Sequence, residues 1–279
     1  MLQNIKSVLI GMTEEGDEVS AAALSYGLSL AQQAGAHATI QAASLKVVVG
    51  NTFVSSVASS LVADHNRRLN ALASSLAERA RGDAQAQGVS CSVETLQLSY
   101  GQLVDTFVAQ ARVHDIAVLN AQRASVDADR GLIEALLFDS GRPLIVVPPA
   151  WDSFKHRRVL IAWDASARAA RAVNDAMPIL RSAEAVEVVA IATEKQLAKT
   201  VPGAEIAPHL ARHGVHVNVK DLVVQEGGIE ATLREQASLF GADLLVMGAF
   251  NHSLMQEWVL GGVTQSLLKD SSIPLLMSY

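Results

Sequence analysis

A single cysteine, Cys91, excludes an intrachain disulfide and points to a reducing compartment. Aromatic residues make up 4% of the chain and charged residues 18%, while half of its 279 residues are hydrophobic. A core so poor in rings has to be built from Val, Leu, Ile and Ala, the composition of buried parallel strands under Ala-rich helices. No basic stretch accompanies the net charge of -6, which argues against nucleic acid as a partner. No apolar run is long enough to span a bilayer, and no signal-peptide pattern opens the chain. A cytoplasmic protein with no membrane span is therefore expected. Catalytic signatures are missing as well: there is no Gly-x-Ser-x-Gly elbow, no His-Glu-x-x-His and no Walker lysine behind a glycine loop.

What is present is an alternation of strand and helix patterns, given twice. Ser7 to Met12 reads as a strand, Val19 to Ala34 as a helix ended by Gly35, and Ala38 to Leu45 as a second strand. A long helix follows from about Val54 to Gln87, with Val54, Val57, Leu61, Leu69, Leu72 and Leu76 as its core stripe. Val89 to Leu96, Ile116 to Leu119 and Leu144 to Val147 complete five strands, separated by helices at Leu103 to Val113 and Gly131 to Phe138. Pro148-Pro149 cannot continue a sheet interior and marks a boundary, with the charged Lys155-His156-Arg157-Arg158 as linker. The pattern then restarts: Val159 to Trp163, Ala167 to Leu180, Ala185 to Ala192, Val215 to Val223, Ile229 to Phe240, Leu244 to Met247 and Leu275 to Ser278. The fold class is α/β, with two tandem five-stranded parallel-sheet domains, 1-149 and 156-279. Ligands in such sheets sit at the carboxyl ends of the strands.

The copies differ at those ends. In the second copy, Val246-Met247-Gly248-Ala249-Phe250-Asn251-His252-Ser253 runs from a strand into a polar loop, and Gly261-Gly262-Val263-Thr264 opens a helix. Glycine permits close backbone approach to an anion, and a helix N-terminus presents unpaired N–H groups. The first strand of this copy ends at Asp164. In the first copy the matching positions hold Thr13 and Asn120, and only Gly131 matches the glycine pair. The second copy keeps a ligand site in this reading, and the first is remodelled or empty.

At these residues the chain resembles a tandem universal stress protein. The family motif is Gly, two residues, Gly, nine residues, Gly, then Ser or Thr; here it is Gly248, two residues, Asn251, nine residues, Gly261, then Gly262. The spacing is kept and two positions differ. The strand Val159-Leu160-Ile161-Ala162-Trp163-Asp164 is the second point of similarity. The resemblance implies a nucleotide-binding-like fold whose two halves pair through their fifth strands as an intrachain pseudo-dimer. A homodimer of the chain stays open as a further level of assembly, and protein partners are unknown. It also implies an adenine nucleotide, ATP or AMP, with Mg where ATP is bound, in the second copy. Asp164 would meet ribose or adenine, and Ala162 and residues near Ala190 would wall the base. Met247, Gly248, Asn251, His252, Ser253, Gly261, Gly262, Val263 and Thr264 would line the phosphate side, with Thr264 or Ser253 supplying the hydroxyl that Gly262 lacks. Without Lys or Arg in the glycine loop, binding is expected rather than turnover, with at most slow ATP hydrolysis.

Plainer readings stand beside these. Asp164 also reads as a helix cap, and the glycines as turn residues. His209, His213 and His216 lack companion ligands for a metal and read as a solvated face, and Cys91 as a structural thiol. Trp258 reads as packing. A scaffold that binds no nucleotide, acting through protein contacts or an apolar ligand in the first copy, is the second functional reading.

Overall fold

The computed structural model describes residues 2–14, 22–47, 56–121, 128–192, 203–249 and 262–279. In the first half β1 (Ser7–Glu14), α1 (Ala22–Ala34), β2 (His37–Leu45), α2 (Ser56–Ala86), β3 (Cys91–Leu98), α3 (Tyr100–Arg112), β4 (Ile116–Asn120), α4 (Ala128–Asp139) and β5 (Leu144–Val147) follow one another. The second half repeats the series as β6 (Arg158–Ala162), α5 (Ala167–Leu180), β7 (Ala185–Ala192), α6 (Ile206–Arg212), β8 (Val217–Val223), α7 (Gly228–Phe240), β9 (Leu244–Gly248), α8 (Gly262–Asp270) and β10 (Leu275–Ser278). Gly35 and Gly88, just past α1 and α2, have φ of 62° and 67°, a left-handed conformation that glycine adopts without steric cost.

All ten strands lie in one sheet, in the order β3-β2-β1-β4-β5-β10-β9-β6-β7-β8. Neighbours within each half run parallel, as right-handed strand-helix-strand connections require. The two halves meet where β5 pairs antiparallel with β10, Ile145 opposite Leu276. This is the expected pseudo-dimer, with the inner edges of both half-sheets closed. Strand alternation sends Ile10, Ile161, Val188 and Val246 to one face, under α1, α2, α5 and α6. Leu9, Leu160, Val189 and Leu245 go to the other, under α3, α4, α7 and α8. Each core layer is continuous through both halves.

Two segments differ from the sequence reading. The expected α2 stripe carries the packing only at Leu76: Leu61 is 64% exposed, the other buried contacts come from Ala73, Ala77, Ala80 and Ala84, and the side chains of Val54 and Val57 lie outside the described residues. The amino-terminal part of α2 overhangs the sheet, and Asn66 ties it there by bonds of 2.9 and 3.0 Å to the backbone of Val47. The linker is not a loose tether. Trp151 donates its indole N–H to the Ser272 carbonyl at 2.8 Å in the second half. Phe154 is buried in the core and meets Tyr26 of α1 edge-on, ring centroids 5.4 Å apart. Among the described residues no helix is long and apolar enough to cross a membrane.

Candidate ligand pocket in the second half

A cavity of about 230 Å³ opens at the carboxyl ends of β6, β7 and β9, where parallel sheets of this kind hold ligands. Ala162, Trp163 and Asp164 form one wall, Val189 and Ile191 a second, and Met247, Gly248 and Val263 a third, with Ile229 and Leu233 of α7 as the roof. Among the described residues Asp164 is the sole ionisable group on these walls. The roof is held on the sheet by a buried polar contact: Gln236 of α7 donates to Glu187 of β7 at 2.5 Å, and Lys220 Nζ lies 3.2 Å from the other carboxylate oxygen. A hydrogen bond to a charged group, shielded from water, fixes the helix more firmly than apolar contact alone.

Asp164 is not the helix cap. Ser166 takes that role, its hydroxyl accepting the Ala169 N–H at 3.1 Å. One Asp164 oxygen accepts the Ser166 N–H at 3.0 Å, and the side chain is exposed at the cavity mouth. Ala165 between them has φ of 59°, a left-handed conformation that costs an L-residue on the order of 1–2 kcal/mol. Strain of this sort is held in place only where the surrounding structure over-determines it, and it clusters at binding sites. Here it turns the chain so that Asp164 faces the cavity.

Of the expected residues, Ala162, Asp164, Met247, Gly248 and Val263 line the cavity. Ala190 does not: it is buried, but Val189 and Ile191 on either side of it hold the wall, because neighbours on a strand face opposite ways. Gly262 begins α8 and is exposed, with open space where a Cβ would sit. Thr264 is fully buried and makes polar contacts of its own, so it is not on the wall as a stand-in hydroxyl. Asn251, His252, Ser253 and Gly261, and the packing residue Trp258, lie outside the described residues. The ring centroids of His209 and His213 are 4.7 Å apart, and among the described residues no group of three His, Cys, Asp or Glu could hold a metal ion.

Gly248 has a role that its motif did not show. A Cβ there would lie 2.7 Å from the Ala169 nitrogen and 2.9 Å from the Arg168 Cβ, so strand β9 and the start of α5 touch only because this residue is glycine. The contact sets the backbone of Arg168 against Gly248, and its guanidinium is turned to the carboxyl terminus of the chain. Arg168 stacks over the Tyr279 ring at 4.5 Å and donates to its hydroxyl at 3.2 Å. Tyr279 in turn meets Phe138 of α4 edge-on, 4.7 Å between centroids, and so reaches the first half. Arg168 sits 80 residues upstream of the glycine loop, on a helix whose sequence signals only amphipathicity, so nothing local in the chain pairs the two.

In the first half the equivalent space is filled. Gly11 occupies the position of Ala162, since Val8 and Val159 hold matching places in their strands. A Cβ at Gly11 would collide with Leu119 and Phe107, whose side chains lie directly over it. At the Gly248 position, Asn120 turns its side-chain oxygen onto the Ala23 N–H of α1 at 2.7 Å. Strand four thus supplies in the first half the helix-start acceptor that Ser166 supplies in the second.

Residues 155–278 match the Universal stress protein family. No curated protein matches the chain. Among solved structures, a universal stress protein from Archaeoglobus fulgidus DSM 4304 is similar over 99% of this chain and 98% of its own, at 15% identity and a TM-score of 0.68. A putative universal stress protein from Pseudomonas aeruginosa UCBPP-PA14 is similar over 99% and 94%, at 14% identity and a TM-score of 0.61. A functionally unknown protein from Pseudomonas aeruginosa PAO1 gives 16% identity and a TM-score of 0.59 over 99% and 93%. At such identities the likeness is one of fold: the second half, residues 155–278, matches the universal stress protein family, and the whole length has the fold of these solved structures.

Proposed function

We propose that the second half binds an adenine nucleotide, ATP or AMP, as a non-catalytic switch in a cytoplasmic stress response. Nucleotide binding is known for some members of the family. The observation that carries the reading is the cavity itself: a mostly apolar slot lined by Val189, Ile191, Leu233 and Met247, with the Asp164 carboxylate and Gly248 also on its walls. A flat heterocycle suits such walls, and Asp164 is placed to accept hydrogen bonds from a ribose. The phosphates then fall toward Gly248, the start of α8 and Arg168. Among the described residues Asp164 is the one carboxylate on the cavity wall and no Lys or Arg lines it, so the arrangement suits retention of phosphate more than its transfer. Ligand charge at Gly248 would reach the first half through Arg168, Tyr279 and Phe138.

The test is titration of the full chain with a fluorescent ATP analogue, followed by displacement with unlabelled ATP, AMP and adenosine. Saturable, displaceable signal is expected, weakened about tenfold by Asp164→Ala, as loss of a hydrogen bond to a charged group implies. Absence of saturation up to about 1 mM, where binding is worth only about 4 kcal/mol, overturns the reading. The apolar walls favour one alternative, a small apolar ligand in this same pocket. Uptake of an apolar dye that no nucleotide displaces would select it.

A further inference from the structure

A second and larger cleft, of about 660 Å³, lies between the halves, along α5. One wall is the α5 face that carries Arg171, Asn174, Pro178 and Arg181, spaced three and four residues apart. The other is made by segments before β1, β4 and β5, among them Asn4, Asp115 and Arg142. The cleft exists because β5 and β10 pair, and Arg171 bridges its walls by donating to the Gly141 carbonyl at 2.7 Å.

The charges in the cleft do not cancel evenly. Asp115 is already engaged: one oxygen accepts the Lys6 N–H at 2.7 Å, the Ser7 N–H at 2.9 Å and the Ser7 hydroxyl at 3.1 Å. Asp175 lies 3.4 Å from Arg171, which is thereby committed. Arg142 gives its Nε to the Arg112 carbonyl at 3.2 Å and keeps both terminal nitrogens for another acceptor. Arg181, the residue that caps the carboxyl end of α5, is exposed and has no acceptor among the described residues. Two guanidinium groups with unused donors, one from each half, therefore face one cleft. The groups around them, Gln3, Asn4, Asn174 and Ser182, are neutral hydrogen-bonding side chains.

We propose that this cleft binds a small polyanion with two or more oxyanion groups, gripped between Arg142 of the first half and Arg181 of the second. Guanidinium forks take phosphate and carboxylate oxygens in pairs, and the cleft volume is that of a small-molecule site. The ligand would act as a clasp across the junction, independently of any nucleotide in the pocket near Gly248.

The experiment is isothermal titration of the full chain, at low salt and with saturating adenosine present, using inorganic pyrophosphate and, separately, citrate. One saturating event per chain is expected with at least one of them. Pyrophosphate alone assigns a phosphate ligand, and citrate alone a carboxylate. Arg181→Gln and Arg142→Gln should each weaken binding at least tenfold, and the double variant should abolish it. Both residues are exposed, so the variants should keep the wild-type thermal midpoint without ligand. Binding of neither anion, or undiminished binding in the double variant, overturns the proposal. Displacement of the fluorescent ATP analogue reports on the other pocket, so failure at one site is read separately from failure at the other.

Discussion

At the scale of single residues, glycines that share a motif do different physical work. Gly248 is a packing residue: its hydrogen lets β9 touch the backbone of α5. Gly262 faces open space. Gly248→Ala should therefore destabilise the chain by about 1–3 kcal/mol, the usual cost of forcing extra atoms into a tight contact. Gly262→Ser should leave stability unchanged or slightly raised, since Gly in a helix is less favourable than Ser. Urea unfolding of the two variants checks both outcomes. Loss of ligand binding in a Gly248 variant would consequently reflect the α5 contact as well as blocked anion approach, whereas Gly262→Ser probes the phosphate side without disturbing the fold. The same scale shows what the chain concealed. Gly248 and Asp164, which the spacing singled out, line the cavity, and near Ala190 it is Val189 and Ile191 that face it, a choice only strand alternation makes.

At the scale of elements, the pocket is a matter of what each third helix carries. In the first half Phe107 of α3 lies over Gly11, fully buried, and fills the slot. In the second half α7 presents Leu233 at the cavity and leaves room. Phe107→Ala should cost about 3–5 kcal/mol, the range for emptying a buried ring site, and should create an apolar cavity at the end of β1. Denaturant unfolding measures the cost, and binding of xenon or benzene to the variant reports the cavity. Element positions were largely legible in the sequence: α5 and β7 lie where their patterns place them, because Ser166 caps the helix and alternating Val marks the strand. The extent of α2 was legible too, but its packing was not. Hydrophobic spacing reports a face, and whether a sheet lies under that face depends on where β2 stops. The filling of the first-half site by Phe107 could not be read either, since one aromatic on a helix is equally consistent with any core position.

At the scale of the whole molecule, Asp115 ties the start of β1 to the segment that leads into β4. Partial burial raises its pKa, but the hydrogen bonds from Lys6 and Ser7, aided by the charge of Arg142, outweigh that and hold it below the ordinary carboxyl value. The folded state thus gives up this proton more readily than the unfolded chain. The stability it contributes is complete above the unfolded value near about 3.9 and is lost as pH falls through the lower, folded one. Asp115→Asn should flatten the acid limb of a urea-midpoint profile below about pH 4 and lower the midpoint at neutral pH. An acid limb of unchanged slope would show that other carboxylates set it.

The pairing of β5 with β10 has a bearing on abundance. Two separate chains joined along such short strands come apart when few copies are present, because association depends on concentration. Here the partners share one covalent chain, and the segment from Pro148 to Arg157 that connects them is itself anchored by Trp151 and Phe154. The local concentration of one half about the other is set by that connection rather than by expression level. The first half, its own slot closed by Phe107 and Leu119, serves as a permanent neighbour that never has to be found, so a scarce molecule is assembled as fully as an abundant one.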